Sequence, residues 1–518
     1  MVLSRLSIAW LCVLGTGCGD DDASGADAAP DLSRCPSGES EFALVRPIIE
    51  GDSPPFPKSF VWGTAASAHQ VEGDNVHSDW WQWEREPGRI VDDARSDDGP
   101  NQYAHYATDF DLLRDAGLHA YRFGIEWARV FPTREAFDAL TPNTEAVSHY
   151  HAVIAALRTR GIRPMVTLHH FSSPAWWIDV GASEEERARM GFGSPTAAED
   201  FARWAGWVAG EFGDDVDDWI TINEPMVYLT TGYLAGATPP GLRYNPAQEQ
   251  PVFDAMAGLV FAHAAAYDAI HQVDATAYVS VAKHQRPFFP ANPCNVDDRS
   301  AAAHIQYLFN RLFLEAIVRG NFDANGDGDL EDASDARAHP DLVGRADFIG
   351  LNYYTLALVD SVLRLSELIP GYPALTENRT GLPHTDFDWS IYPGGFRQVL
   401  DELVPYGLPI YVTENGIADH ADGLRSKYVI EHLHVLAQAI ADGIDVRGYY
   451  HWSLIDNFEW ISGYCPQFGL YRVDYGTPDR TRAATDAVAV LRTIIDEGLV
   501  SSDLVATHAT YATPVLCE

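Results

Sequence analysis

Along this chain two apolar patterns take turns. Short unbroken apolar runs are each followed by a longer segment whose apolar residues recur three to four positions apart. FVWGTAAS precedes YATDFDLLRDAG, HAYRFGIEW precedes SHYHAVIAALRTRG, and RPMVTLHHF precedes AEDFARWAGWVAGEF. WITINEP precedes FDAMAGLVFAHAAAYDAI, and TAYVSVAKH precedes AAAHIQYLFNRLFLEAIV. ADFIGLNYYT precedes FRQVLDELVPYG, LPIYVTENG precedes KYVIEHLHVLAQAIADG, and VRGYYHWSLID precedes AATDAVAVLRTIIDEG. Unbroken runs suit parallel strands covered on both faces, and the spaced segments suit helices with one buried side. Eight such pairs in order predict a (β/α)8 TIM barrel, one catalytic domain with long loops on its C-terminal face. The alternative is a long doubly wound sheet. That fold gathers its ligand at one reversal of strand order, whereas here polar residues end most of the strands.

Two of those polar ends are carboxylates. Glu224 closes the run WITINEP, and Glu414 closes LPIYVTENG. In a barrel the C-terminal strand ends surround one pocket, so both side chains face it although they are far apart in sequence. Two carboxyl groups across one cavity suit glycosidic cleavage. One protonates the leaving oxygen while the other, ionised, attacks or supports the anomeric carbon. Mutual repulsion and unequal surroundings separate their pKa values. The bland alternative, a structural ion pair for each glutamate, has to hold twice over.

The motifs resemble those of family 1 glycoside hydrolases, the β-glucosidase/β-galactosidase group, from Phe60 to about Gly498. FVWGTAASAHQVEG resembles the family's N-terminal signature and TINEP its acid/base motif. YVTENG resembles its nucleophile motif and YYHWSLIDNFEW its sugar-binding loop. The resemblance implies a retaining β-glycosidase that hydrolyses terminal β-D-glucosides through a covalent glycosyl–enzyme, with β-galactosides or β-fucosides tolerated. It implies Glu414 as nucleophile and Glu224 as acid/base. Asn223 would bond the sugar 2-hydroxyl, while Arg122 and Tyr354 would keep Glu414 ionised and aimed. Gln70, His170, Trp452, Glu459 and Trp460, with Tyr354, complete the implied sugar-binding set. Amide, imidazole and carboxylate groups can satisfy hydroxyls, and indoles stack on the apolar side of a pyranose. Each also has a plainer reading: Trp452 and Trp460 as core aromatics, His170 as a satisfied core histidine, Arg122 as the neutraliser of Glu126. Glu126 receives no role.

HHFSSPAWW departs from the family's HWDLP-like pattern, so Phe171 stands where many members have Trp, which bears on leaving-group contacts more than on chemistry. Glu224 speaks against a thioglucosidase, where Gln is usual. Glu459, and the lack of Lys in ISGYCPQFG, favour a free sugar over a phosphorylated one. A transglycosidase on the same site, and a catalytically weak sugar-binding protein on the same barrel, are the alternatives. The chemistry needs no cofactor, and the expected partner is a β-glycoside or oligosaccharide.

Charge and the N-terminus address location. The chain carries 35 Lys and Arg against 74 Asp and Glu, a net −39. Such a surface repels nucleic acid and anionic membranes. Residues 1–17 read as an export signal, with Arg5 ahead of the apolar SIAWLCVL. The LGTGC ending resembles a bacterial lipoprotein signal, with Cys18 as the acylated residue, although Gly15 stands where Leu is usual. Residues 18–50, acidic and rich in small side chains, read as a disordered tether, and 51–518 as the barrel. An exported protein held to the membrane only by a lipid anchor, or else secreted, follows. The oligomeric state is not readable.

Beyond the signal and Cys18, Cys35, Cys294, Cys465 and Cys517 suggest two disulfides, with three pairings open. A closed barrel brings its first and last units together and lets the loops after its fifth and eighth strands lean over the pocket. Cys35–Cys517 and Cys294–Cys465 are therefore expected. FDANGDGDLEDASD sets Asp323, Asn325, Asp327, Gly328 and Asp329 at calcium-loop spacing, but Ser334 stands where a bidentate Glu is needed. A structural calcium or a solvated acidic loop are the two readings.

Overall fold

The computed structural model describes residues 49–243, 250–359 and 380–517. The export signal, Cys18, Cys35 and all but the last two residues of the tether lie outside them. Eight parallel strands close into a barrel: Val61–Ala65, Ala120–Gly124, Arg163–His169, Asp218–Asn223, Tyr278–His284, Ile349–Tyr353, Ile410–Asn415 and Val446–Trp452. Each hydrogen-bonds to its neighbours in chain order, and the first closes on the last. These are the eight expected runs, and each is followed by its helix. The fourth and seventh strands are buried along their whole length, which accounts for their unbroken apolar character.

The helices form the outer ring. In Ala197–Phe212 the buried residues Phe201, Trp204, Ala205, Val208 and Phe212 recur at helical spacing. Thr144–Thr159 begins at Asn143, whose side-chain oxygen accepts from the Glu145 and Ala146 amides. The fifth outer segment is less regular than its sequence pattern predicts. Val296–Gln306 is α-helical, and wider turns follow at Tyr307–Arg311 and Glu315–Arg319. Among the described residues no helix is long and apolar enough to cross a membrane.

One expectation needs correction. Cys465 pairs with Cys517, with Cα atoms 5.7 Å apart, so neither Cys35–Cys517 nor Cys294–Cys465 forms. Cys294 is itself disulfide-bonded. The reason is that the chain beyond the last barrel helix does not stay at the N-terminal face. It climbs along Arg425–Ala441 to the catalytic face, with the Tyr511 hydroxyl donating to Glu431 and the Ala512 amide to the Gly423 carbonyl. The calcium-like insertion closes on itself through a bridge between Phe322 and Ala336. Asp323 accepts from the Gly326 and Gly328 amides at 2.7 and 2.8 Å and from the Tyr307 hydroxyl. Among the described residues no group of three or more His, Cys, Asp or Glu side chains is placed to hold a metal ion. The carboxylates of Asp327 and Asp329 likewise accept from amides of the loop itself, and Asn325 donates to Asp327.

Candidate active site

Strand register brings the polar ends to one level. Ala65 pairs with Arg122 on one side and Trp452 on the other, and Asn352 pairs with Glu414. Gly416 has a steric reason to be glycine. A Cβ there would lie 1.8 Å from the Trp452 carbonyl oxygen, so any side chain would push the seventh strand end off the eighth. Glu224 sits in the left-handed region, with φ 45°, and its amide donates to the Ala282 carbonyl at 2.7 Å. This turn ends the fourth strand and hands the chain to Pro225, which starts the helix Pro225–Leu229.

The strand ends surround an open pocket. Its lining includes Glu224, Glu414, His170, Asn223, Tyr354, Trp452, Glu459 and Trp460. Gln70 and Arg122 reach it through hydrogen bonds, so the whole expected set is gathered in one place. Arg122 is fully buried and joins three strands. Its Nη1 donates to Glu414 Oε1 at 2.5 Å, its Nη2 to Asn223 Oδ1 at 2.7 Å and its Nε to Thr167 at 3.0 Å. It therefore serves Glu414 and not Glu126, which accepts instead from Ser172. The Tyr354 hydroxyl donates to Glu414 Oε2 at 2.7 Å.

Glu224 has a different environment. Its Oε1 accepts from Asn352 Nδ2 at 2.8 Å and lies 3.4 Å from His284 Nδ1. Burial pushes both carboxyls above the ordinary range. For Glu414 the adjacent Arg122 guanidinium opposes that push most strongly, and Tyr354 assists. For Glu224 the first opposing contact is the neutral amide of Asn352. Two coupled carboxyls in such unequal settings share one proton unequally, and a guanidinium in direct contact holds the charge on Glu414.

The other polar groups of the expected set lie close by. Asn223 Nδ2 lies 3.0 Å from His170 Nε2, which assigns the His170 proton to Nδ1. Burial holds the ring neutral, and Nδ1 is a buried donor with no partner in the protein. Gln70 Nε2 donates to Asn457, to the Phe458 carbonyl and to Glu459, leaving its own Oε1 without a partner. Desolvation raises the Glu459 carboxyl, and repulsion from Glu414 and Glu224 adds to the shift. Trp452 stacks on His170 with centroids 5.8 Å apart, and Trp460 lies 5.4 Å from Phe171.

Several pocket residues were not picked out from the sequence. His284 ends the fifth strand and lines the pocket, and Asn352, next to last in the sixth strand, reaches it by bonding Glu224, much the same polar-strand-end signal that marked the two glutamates. Phe387, Trp389 and Phe468 come from loops, where apolar residues carry no pattern to reveal them.

Replacing Tyr354 by phenylalanine tests the charge assignment. The variant removes a donor from ionised Glu414, so the carboxyl takes up a proton at higher pH. The acid limb of kcat/KM is expected to rise by about one pH unit while the alkaline limb stays put. Unmoved limbs would remove the role of Tyr354.

An eight-stranded parallel barrel with two buried, differently partnered carboxyls in a pocket at its strand ends defines a glycosidase of the (β/α)8 class. The sequence model of glycosyl hydrolase family 1 matches residues 52–498, and the chain belongs to that family. It is an enzyme, a β-glycosidase, and the family's chemistry needs no cofactor. A β-galactosidase of Pyrococcus woesei is 34% identical over 85% of this chain and 97% of its own length. β-Glucosidase 12 of Oryza sativa subsp. japonica is 32% identical over 81% of this chain and 88% of its own. The β-glycosidase of Thermosphaera aggregans superimposes with a TM-score of 0.76 at 27% identity, covering 88% of this chain and 100% of that one. The Thermotoga maritima β-glucosidase in complex with glucoimidazole superimposes with a TM-score of 0.72 at 28% identity, covering 86% and 99%.

Proposed function

We propose that the chain is a retaining β-glycosidase of terminal β-D-glucosides, with β-galactosides and β-fucosides tolerated. Glu414 is the nucleophile and Glu224 the acid/base. The observation that carries this reading is the unequal pair of partner sets: a guanidinium and a phenol on Glu414, an amide on Glu224. Ionised Glu414 attacks the anomeric carbon. Glu224, whose Oε1 is occupied by Asn352, presents the proton on its other oxygen to the departing glycosidic oxygen. Water then enters where the leaving group stood, gives its proton back to Glu224, and releases the sugar from Glu414. Asn223, locked by Arg122 and next to Glu224, suits the 2-hydroxyl. Gln70 and Glu459, 3.3 Å apart, suit a pair of neighbouring hydroxyls in either configuration at position 4. Matched relatives named both β-galactosidase and β-glucosidase fit such tolerance.

Proton NMR of the first-formed sugar from an aryl β-glucoside is expected to show the β-anomer, and an initial α-anomer would overturn the mechanism. Across a panel of aryl glycosides, kcat/KM is expected to be highest for the glucoside. Preference for a 6-phosphoglucoside would overturn the substrate assignment.

A further inference from the structure

The last segment of the chain lies beyond the family match, which stops at residue 498. It nevertheless ends on the catalytic face. There it meets Asp386, a buried residue one position before Phe387 of the pocket lining. The Val515 amide donates to Asp386 Oδ1 at 2.7 Å and the Cys517 amide to the Asp386 carbonyl at 3.0 Å. Asp386 Oδ2 accepts from the His420 amide at 2.6 Å, so one carboxylate holds the tail against the loop that follows Glu414. Cys517 is bonded to Cys465, three positions before Phe468. The tail thus ties the loop after the sixth strand to the loop after the eighth.

Those two loops supply one aromatic wall. Phe387 and Trp389 stack with centroids 4.8 Å apart and planes within 7°. Phe468 lies 6.2 and 6.3 Å from them. Trp389 is 5.6 Å from Tyr354, the residue that bonds Glu414. The tail itself has little to hold it by burial, since Val515 and Leu516 are 50% and 51% exposed. A segment so exposed frays unless it is tied. Here the tie is the disulfide, which keeps the two amides at Asp386.

We propose that residues 508–517, clipped by Cys465–Cys517, are a positioning strap that sets the Phe387–Trp389–Phe468 wall and thereby the enzyme's hold on apolar groups carried by its substrate. This rests on the glycosidase reading above. The loops have ties of their own. The Gln467 carbonyl accepts from Arg425 and from the Asp419 amide, so the barrel and its reacting carboxylates do not depend on the strap.

The test uses the full chain and the double variant Cys465→Ser/Cys517→Ser, which removes the bond and leaves no stray thiol at it. Calorimetry measures Kd for two unreactive thioglycosides, phenyl and methyl 1-thio-β-glucoside. The variant is expected to bind the phenyl ligand about fivefold more weakly and the methyl ligand within about twofold of the parent, since the loosened wall must be ordered on binding. Equal phenyl affinity, or parallel loss for both ligands, would overturn the strap. Hydrogen exchange decides the mechanical half without any ligand. Faster exchange is expected at 380–392 and 464–470 together with the tail, and a change confined to the tail would overturn the proposal. Failure of the parent to bind either thioglycoside would count against the glycosidase reading, with the exchange result still deciding the strap.

Discussion

Glu414→Ala is expected to lose on the order of 10⁴–10⁶ in kcat, equivalent to about 5–8 kcal/mol of transition-state stabilisation. The reason lies in its setting. Arg122 and Tyr354 together hold one buried carboxylate ionised and aimed, and among the described residues no other carboxyl in the pocket has that pair of donors. In the proposed mechanism, loss of Glu414 removes the covalent intermediate, and the second step has nothing to hydrolyse. The loss is expected to be chemical and not conformational. Added azide supplies a nucleophile that fits the vacated space, and from a glucoside with a good leaving group the variant should form the α-glycosyl azide. Near-parental turnover, or a β-azide product, would remove Glu414 from its assigned role.

Glu224→Gln is expected to lose about 10²–10⁴ in kcat/KM for alkyl and sugar leaving groups, the range typical of general acid catalysis. For 2,4-dinitrophenyl β-glucoside the first step should be far less affected, because that leaving group departs without a proton. Glutamine keeps the shape and can still bond Asn352, so the variant isolates the proton from the packing. With the activated substrate, glycosyl–enzyme should accumulate on Glu414, since water now lacks its base. An equal fall for good and poor leaving groups would mean that Glu224 acts by position alone.

The residues differ in how far the chain alone revealed them. The strand runs could be read because a strand covered on both faces must be apolar throughout, and that demand is local. Glu224 and Glu414 could be read because a charge at the end of such a run breaks the pattern. Asn352 and His284 lie near the ends of their strands in the same way, yet an amide and a neutral imidazole break the pattern less sharply. The calcium-like spacing lacks its twelfth ligand already in the sequence, where Ser334 stands, and in the structure amides of the loop itself bond Asp323.

Local patterns of apolar and polar residues were enough to specify eight strand–helix units and two strand-end carboxylates, since period and burial act within a few residues. Barrel closure decided the rest. It brought Arg122 onto both Glu414 and Asn223, partners 292 and 101 positions away along the chain. It also let the C-terminal tail reach Cys465 in place of the barrel's first unit. Contacts across such separations depend on where whole elements come to rest, and that is set by the packing of all eight units at once.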